Sequence, residues 1–210
     1  IRKYPSYMRA DAVGLKAGDY VMKIVPLNNG KENTSAAIVS DKLTVNAHDR
    51  SGFTFSSNSP VKNGVGAYNN DGTLKSNAIV VYVTEENKNT VQLPGYTGDS
   101  YPAGIGNILN SVGAQGASKG TYNTNNYILR KLSMDGTPID VRFIGKVTSP
   151  EGLTEYDSVN NGGTEGDNGH MARMKDASNV TIEGIGYDAT IDGWGFHFMC
   201  SSAYSQYGYG

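Results

Sequence analysis

Apolar positions in the last third of the chain come in short β-branched triplets set off by small and polar residues. Asn179-Val180-Thr181-Ile182-Glu183-Gly184-Ile185-Gly186 runs directly into Tyr187-Asp188-Ala189-Thr190-Ile191-Asp192-Gly193-Trp194-Gly195-Phe196-His197-Phe198. An antiparallel sheet built of hairpins wants longer strands and two-residue turns such as Asn-Gly between them. Strands this short, separated by single bends, suit a right-handed parallel β-helix in which each strand stacks on its equivalent one coil below. The stretch 139–147 reads as the first strand of that solenoid, and 171–174, 180–182, 189–191 and 196–199 are expected to continue its coils.

Upstream, Ile79-Val80-Val81-Tyr82-Val83-Thr84 is apolar without alternation, the pattern of a strand buried on both faces. Residues 87–90 make a turn and Val91-Gln92-Leu93 returns. Apolar residues at 105, 108, 109 and 112 have helical spacing and predict a short helix capping the open end of the solenoid, with Gly106 counting against it. Stretches 113–126 and 150–168 are polar, glycine-rich loops. Residues 1–45 read as the tail of a small β-sandwich, with a strand over 20–27, and 46–75 as a linker pinned by Phe53, Phe55 and Tyr68. The expected fold class is therefore all-β: part of a β-sandwich module, a linker, and from residue 76 the N-terminal coils of a parallel β-helix.

Composition agrees with a turn-rich β protein, since 27 of 210 residues are Gly, 14 are Tyr and only 18% are charged. A net charge of −2 gives no electrostatic case for nucleic acid or an anionic membrane surface. No apolar stretch approaches the ~20 residues that cross a bilayer. Cys200 is the only cysteine, so an intrachain disulfide is impossible, and its apolar neighbours mark it as a small core residue. The chain opens on Ile1 and stops at Gly210 just past a strand-like run, so it is expected to be a piece of a longer, exported protein.

Three segments carry a resemblance to a known family. Arg142-Phe143-Ile144-Gly145-Lys146-Val147, Asn179 to Gly186 and Ala189 to Phe196 resemble the first coils of bacterial secreted pectate lyases, of the first polysaccharide lyase family. Gly64-Val65-Gly66-Ala67-Tyr68-Asn69-Asn70-Asp71-Gly72 with Val81-Tyr82-Val83-Thr84 looks like their lead-in, so the likeness spans roughly 64–210. Gly14-Leu15-Lys16-Ala17-Gly18-Asp19-Tyr20-Val21 resembles the late strands of fibronectin type III-like modules, of which about half a domain is present. The first resemblance implies an extracellular lyase that opens pectate or polygalacturonate, an acidic plant polysaccharide, by Ca²⁺-assisted β-elimination with an Arg base. It also implies that the Asp-bearing coil and the Arg-bearing strand lie beyond residue 210. Within 1–210 the catalytic residues are therefore unassigned, and no residue is matched to a Ca²⁺ ligand or a cofactor. Two alternatives share the scaffold: a non-catalytic glycan-binding β-helix or adhesin, and a pectin hydrolase, which needs paired carboxylates on neighbouring coils. Oligomeric state is left open.

Local candidates have plain readings beside functional ones. Glu165, Asp167 and His170 follow no EF-hand spacing and read as a solvated loop. Asp188 and Asp192 read as turn-stabilising Asx residues. His197, between two Phe, has no identifiable partner for nucleophilic catalysis and reads as a strand residue. Arg142 and Lys146 fall on one side of an alternating strand, either solvated or binding sugar carboxylates. Trp194, Tyr204, Tyr207 and Tyr209 suit an internal aromatic ladder or, less simply, stacking on sugar rings. Gly184-Ile185-Gly186 lacks the strand–helix frame of a dinucleotide loop.

Overall fold

The computed structural model describes residues 2–49, 66–109, 128, 129, 132, 135–153, 170–175 and 177–199, and among these strand far outweighs helix. The chain is all-β. It divides into two compact units, one formed by Ala12–Leu74 and the other by Ile1–Asp11 with Lys75–Gly210.

The first strands, β1 (Arg2–Lys3) and β2 (Met8–Arg9), make a small antiparallel hairpin that belongs to the larger unit and not to the module that follows it. Residues 18–45 of the smaller unit form one interrupted antiparallel ribbon. Strands β3 (Gly18–Tyr20), β4 (Lys23–Ile24) and β5 (Leu27–Asn28) run out, and β6 (Lys31–Glu32), β7 (Ile38–Val39) and β8 (Leu43–Val45) run back. The reversal is Asn29-Gly30, with φ of 51° and 76°, the pair of left-handed residues that a type I′ turn demands. The strand expected over 20–27 is thus three short pieces. It breaks at Met22, whose N–H is taken by Ser40 Oγ at 2.9 Å, and at Pro26, which has no N–H to give. The returning arm is lengthened by a 3₁₀ turn at Thr34–Ala36. Ile24, Leu27 and Ile38 stay more than half exposed on this ribbon. The second sheet of a sandwich is not among the described residues. Residues 66–74, in the expected linker, close a turn in which Tyr68 bridges Leu74.

In the larger unit, β9 (Ile79–Val83), β10 (Ile139–Thr148) and β12 (Val180–Asp192) form a parallel sheet with β10 in the centre. Their register sets like residues in two rows, Ile79, Ile139 and Val180, then Val81, Val141 and Ile182, and brings Val83, Phe143 and Gly184 together in a third. Ile139, Val141, Phe143 and Val147 of β10 are all buried and form one wall of the core. Against it pack Leu93, the helix α1 (Ile105–Leu109) through Ile105, Ile108 and Leu109, and the helical residues Ile128, Leu129 and Leu132. β11 (Met171–Lys175) pairs in parallel with β13 (Gly195–Met199). The β9 run is buried only at Val81 and Val83, because Tyr82 turns outward and is half exposed.

Two expectations change here. Segments 180–182 and 189–191 are not successive coils; both lie on β12 and pair with the two ends of β10. Between them a wide bulge sets the four residues 186–189 opposite the single Gly145, which is why the two triplets look like a repeat. Gly106, which weakens the helix in sequence, is required by packing: a Cβ there would overlap the Glu151 carbonyl. The remainder of the expected helix, with Val112, lies outside the described residues.

Candidate functional site

Register places Arg142 of β10 between Tyr82 of β9 and Glu183 of β12. Its Nε donates to Asp140 Oδ2 at 2.7 Å and Glu183 Oε1 at 3.0 Å, and Nη1 donates to the Tyr82 hydroxyl at 2.9 Å. The guanidinium carbon also sits 5.5 Å from the Tyr82 ring centroid. Asp140 is fully buried and Arg142 is 5% exposed. A guanidinium enclosed this way is a cross-link for three strands, its single positive charge shared by two carboxylates. Arg142 is therefore neither solvated nor open to a sugar carboxylate, which corrects both sequence readings of it.

Lys146, four positions on, has the opposite environment. Its side chain is 62% exposed and pairs with Asp192 at 2.5 Å, and that hydrogen bond raises the ammonium pKa. Tyr82, Glu183, Lys146 and Asp192 are solvent-accessible members of this strand set near Arg142 and the C-terminal end of β10. Tyr82 and Glu183 can hydrogen-bond sugar hydroxyls, and Lys146 can exchange Asp192 for a ligand carboxylate. The C-terminal ends of β9 and β10 are tied by Glu85. It accepts from Lys88 Nζ at 2.7 Å and from Thr148 N and Oγ1 at 2.8 and 2.7 Å. These donors, Lys88 foremost, pull the Glu85 carboxyl down to about 2.

A second cluster is built on the bulge of β12. Asp188 accepts from Arg9 Nη1 at 2.8 Å, from Arg2 Nη1 at 3.2 Å and from the Tyr4 hydroxyl. The Tyr4 bond, helped by the two arginines, holds the Asp188 carboxyl below the usual range, although desolvation opposes it. Gly145 and Gly186, at φ of +68° and +90°, leave the space that the Arg2 and Arg9 guanidinium groups occupy. Tyr4 and Tyr7 stack with centroids 4.5 Å apart, and Tyr7 and Tyr187 bring their hydroxyls to 3.4 Å. That contact pushes the Tyr7 hydroxyl up to about 12.

The remaining candidates fall as follows. Asp188 and Asp192 hold cations from different elements and are not turn-stabilising Asx residues. Trp194 donates Nε1 to the Val147 carbonyl at 3.1 Å and packs edge-on against Phe143 and Phe196, with centroids 5.7 and 5.2 Å away. It belongs to a half-buried aromatic ladder. His197 is half-buried on β13, and His170 is exposed at the lip of an open cavity of about 500 Å³ lined also by Met171, Gly193, Trp194 and Gly195. Glu165, Asp167, Cys200, Tyr204, Tyr207 and Tyr209 lie outside the described residues. Among the described residues no three His, Cys, Asp or Glu side chains gather in a metal-holding group, and no helix is long and apolar enough to cross a membrane.

Sequence reading missed Tyr82, Asp140 and Glu183 as partners of Arg142, and Arg2, Tyr4 and Arg9 as partners of Asp188. One signal was present for the second set: Ile144-Gly145 and Ile185-Gly186 are the same dipeptide at paired positions, each ending on a left-handed glycine. Compared with family models, curated proteins and solved structures, the chain matches none.

Proposed function

We propose that this chain is the N-terminal portion of a secreted polysaccharide lyase of the pectate lyase type, its larger unit forming the first coils of a right-handed parallel β-helix and its smaller unit the remainder of a fibronectin type III-like module. The observation that carries the reading is the in-register parallel stack of β9, β10 and β12 with like apolar residues in rows. Rows of this kind are what a coil stacked on its predecessor requires, and the long flank of such a stack suits an extended polymer. The family-like segments supply both Arg142, at the centre of the stack, and the two glycines of the bulge. The accessible groups Tyr82, Glu183 and Lys146 have the chemistry to meet hydroxyls and carboxylates of a polyuronate.

Calcium would supply charge stabilisation of the enolate-like state in β-elimination. The described residues do not fit it: Asp140, Glu183, Asp188 and Asp192 are each committed to Arg or Lys, and no trio of carboxylates converges. The resemblance to pectate lyases would put its ligands and the Arg base on coils other than the ones described. The hydrolase alternative gains nothing from Asp140 and Glu183, because Asp140 is fully buried and both serve Arg142.

The test is the full-length enzyme with polygalacturonate and Ca²⁺. New ultraviolet absorbance from a C4=C5 double bond, abolished by a chelator, is the expected result. Depolymerisation without absorbance would make it a hydrolase, and binding without depolymerisation a non-catalytic glycan protein.

A further inference from the structure

The bulge of β12 puts an aromatic ring where core packing has no use for it. Tyr187 is 86% exposed, yet its surroundings are heavily constrained. The Arg9 guanidinium lies 4.9 Å from its ring centroid, the Tyr7 hydroxyl is 3.4 Å from its own, and the neighbouring Asp188 is clamped by Arg2, Arg9 and Tyr4. Two left-handed glycines are spent to admit those arginines. A tyrosine fixed in solvent offers a large contact face at little cost in side-chain entropy.

We propose that Tyr187 and Tyr7, set beside Arg2, form a surface subsite that holds a uronate ring of the polysaccharide. This rests on the proposed polyuronate substrate. With Arg9 over one face of Tyr187, the other face is open to a pyranose ring. The paired hydroxyls of Tyr7 and Tyr187 meet sugar hydroxyls, and Arg2, whose side chain is 37% exposed, meets the carboxylate. Tyr7, 47% exposed, widens the platform through its stack on Tyr4.

Affinity electrophoresis of the 210-residue chain through polygalacturonate, in chelator, tests the subsite without any bond cleavage. Tyr187→Ala is expected to bind about tenfold more weakly than the parent chain, and Tyr187→Phe, which keeps the ring, within about twofold of it. A neutral gel polymer such as dextran should retard neither. Equal retardation of the parent and Tyr187→Ala, or none for the parent, overturns the proposal. Because this readout needs no catalysis, a lyase assay without product counts against the proposed function and not against the subsite.

Discussion

Arg9 Nη1 and Asp188 Oδ1 lie 2.8 Å apart although 179 residues separate them along the chain. The pair is partly buried, with side-chain exposures of 17% and 25%, so it is screened less than a surface pair. It does not act alone. Arg2 and Tyr4 reach the same carboxylate, so one acidic residue on a strand bulge anchors both arms of the N-terminal hairpin and its turn. Two ladder pairs could not hold so short a hairpin by themselves.

Asp188→Asn keeps the shape of that side chain and removes its charge. The hairpin is expected to open more often, with amide exchange at Tyr4, whose N–H bonds the Tyr7 carbonyl at 2.8 Å, faster by roughly tenfold and exchange in the centre of β10 unchanged. Hydrogen exchange followed by mass spectrometry reads both at once. Unaltered protection of residues 2–9 would mean that the tyrosine stack, and not the carboxylate, holds the hairpin.

The glycines of the clasp can be separated from ordinary turn glycines. Gly193 has φ of +78° but open space where a Cβ would go, so Gly193→Ala should cost only the left-handed strain, about 1 kcal/mol. Gly145→Ala and Gly186→Ala carry the same strain and also collide with a guanidinium, so about 2–3 kcal/mol is expected for each. Denaturant midpoints of the three variants should rank in that order. A Gly186→Ala protein as stable as Gly193→Ala would show that Arg9 moves aside freely.

How much of this could be read in the chain depends on the range of the interaction. The apolar runs of β9 and β10 and the short apolar face of α1 follow from local patterning, and so does the all-β class. Register does not. Val180-Thr181-Ile182 and Ala189-Thr190-Ile191 look like a repeat because period-2 alternation restarts after Gly186, and only pairing with β10 reveals a single bulged strand. Asn29-Gly30 carries its hairpin signal openly, yet the apolar stretch before it hides two breaks, since neither Met22 nor Pro26 interrupts hydrophobicity. Arg142 looked available because alternation gives a face but not what covers that face. The Asp188 clasp joins segments about 180 residues apart and leaves only paired glycines as a trace.

The Arg142 cross-link should dominate the stability of the larger unit. Arg142→Met removes the guanidinium from Asp140, which is fully buried, and a loss of about 3–5 kcal/mol is expected. Adding Asp140→Leu removes the charge left behind and should restore most of that loss, because a packed apolar pair can replace a buried ion pair. Urea unfolding of the single and double variants gives the comparison. A single variant within about 1 kcal/mol of the parent would mean that the cluster is open to water.

Acid should loosen the ends of the sheet in a defined sense. Glu85 and Asp188 both have folded pKa values below their ordinary ones of 4.5 and 3.8; Glu85 drops to about 2, mainly through the Lys88 hydrogen bond, and Asp188 drops mainly through Tyr4. A carboxyl depressed in the folded state binds its proton more readily when unfolded. Its contribution is therefore complete above the unfolded pKa and is lost as pH falls through the folded one. The thermal midpoint is expected to be level with respect to these groups above about pH 5 and to fall from there toward pH 2. In Glu85→Gln the midpoint should be lower near neutrality and its acid slope shallower, since the amide cannot titrate. Thr148→Val, which removes one of the donors to Glu85, should shift the decline toward higher pH. Superimposable acid profiles for the parent and Glu85→Gln would show that Glu85 is not what ties β9 to β10.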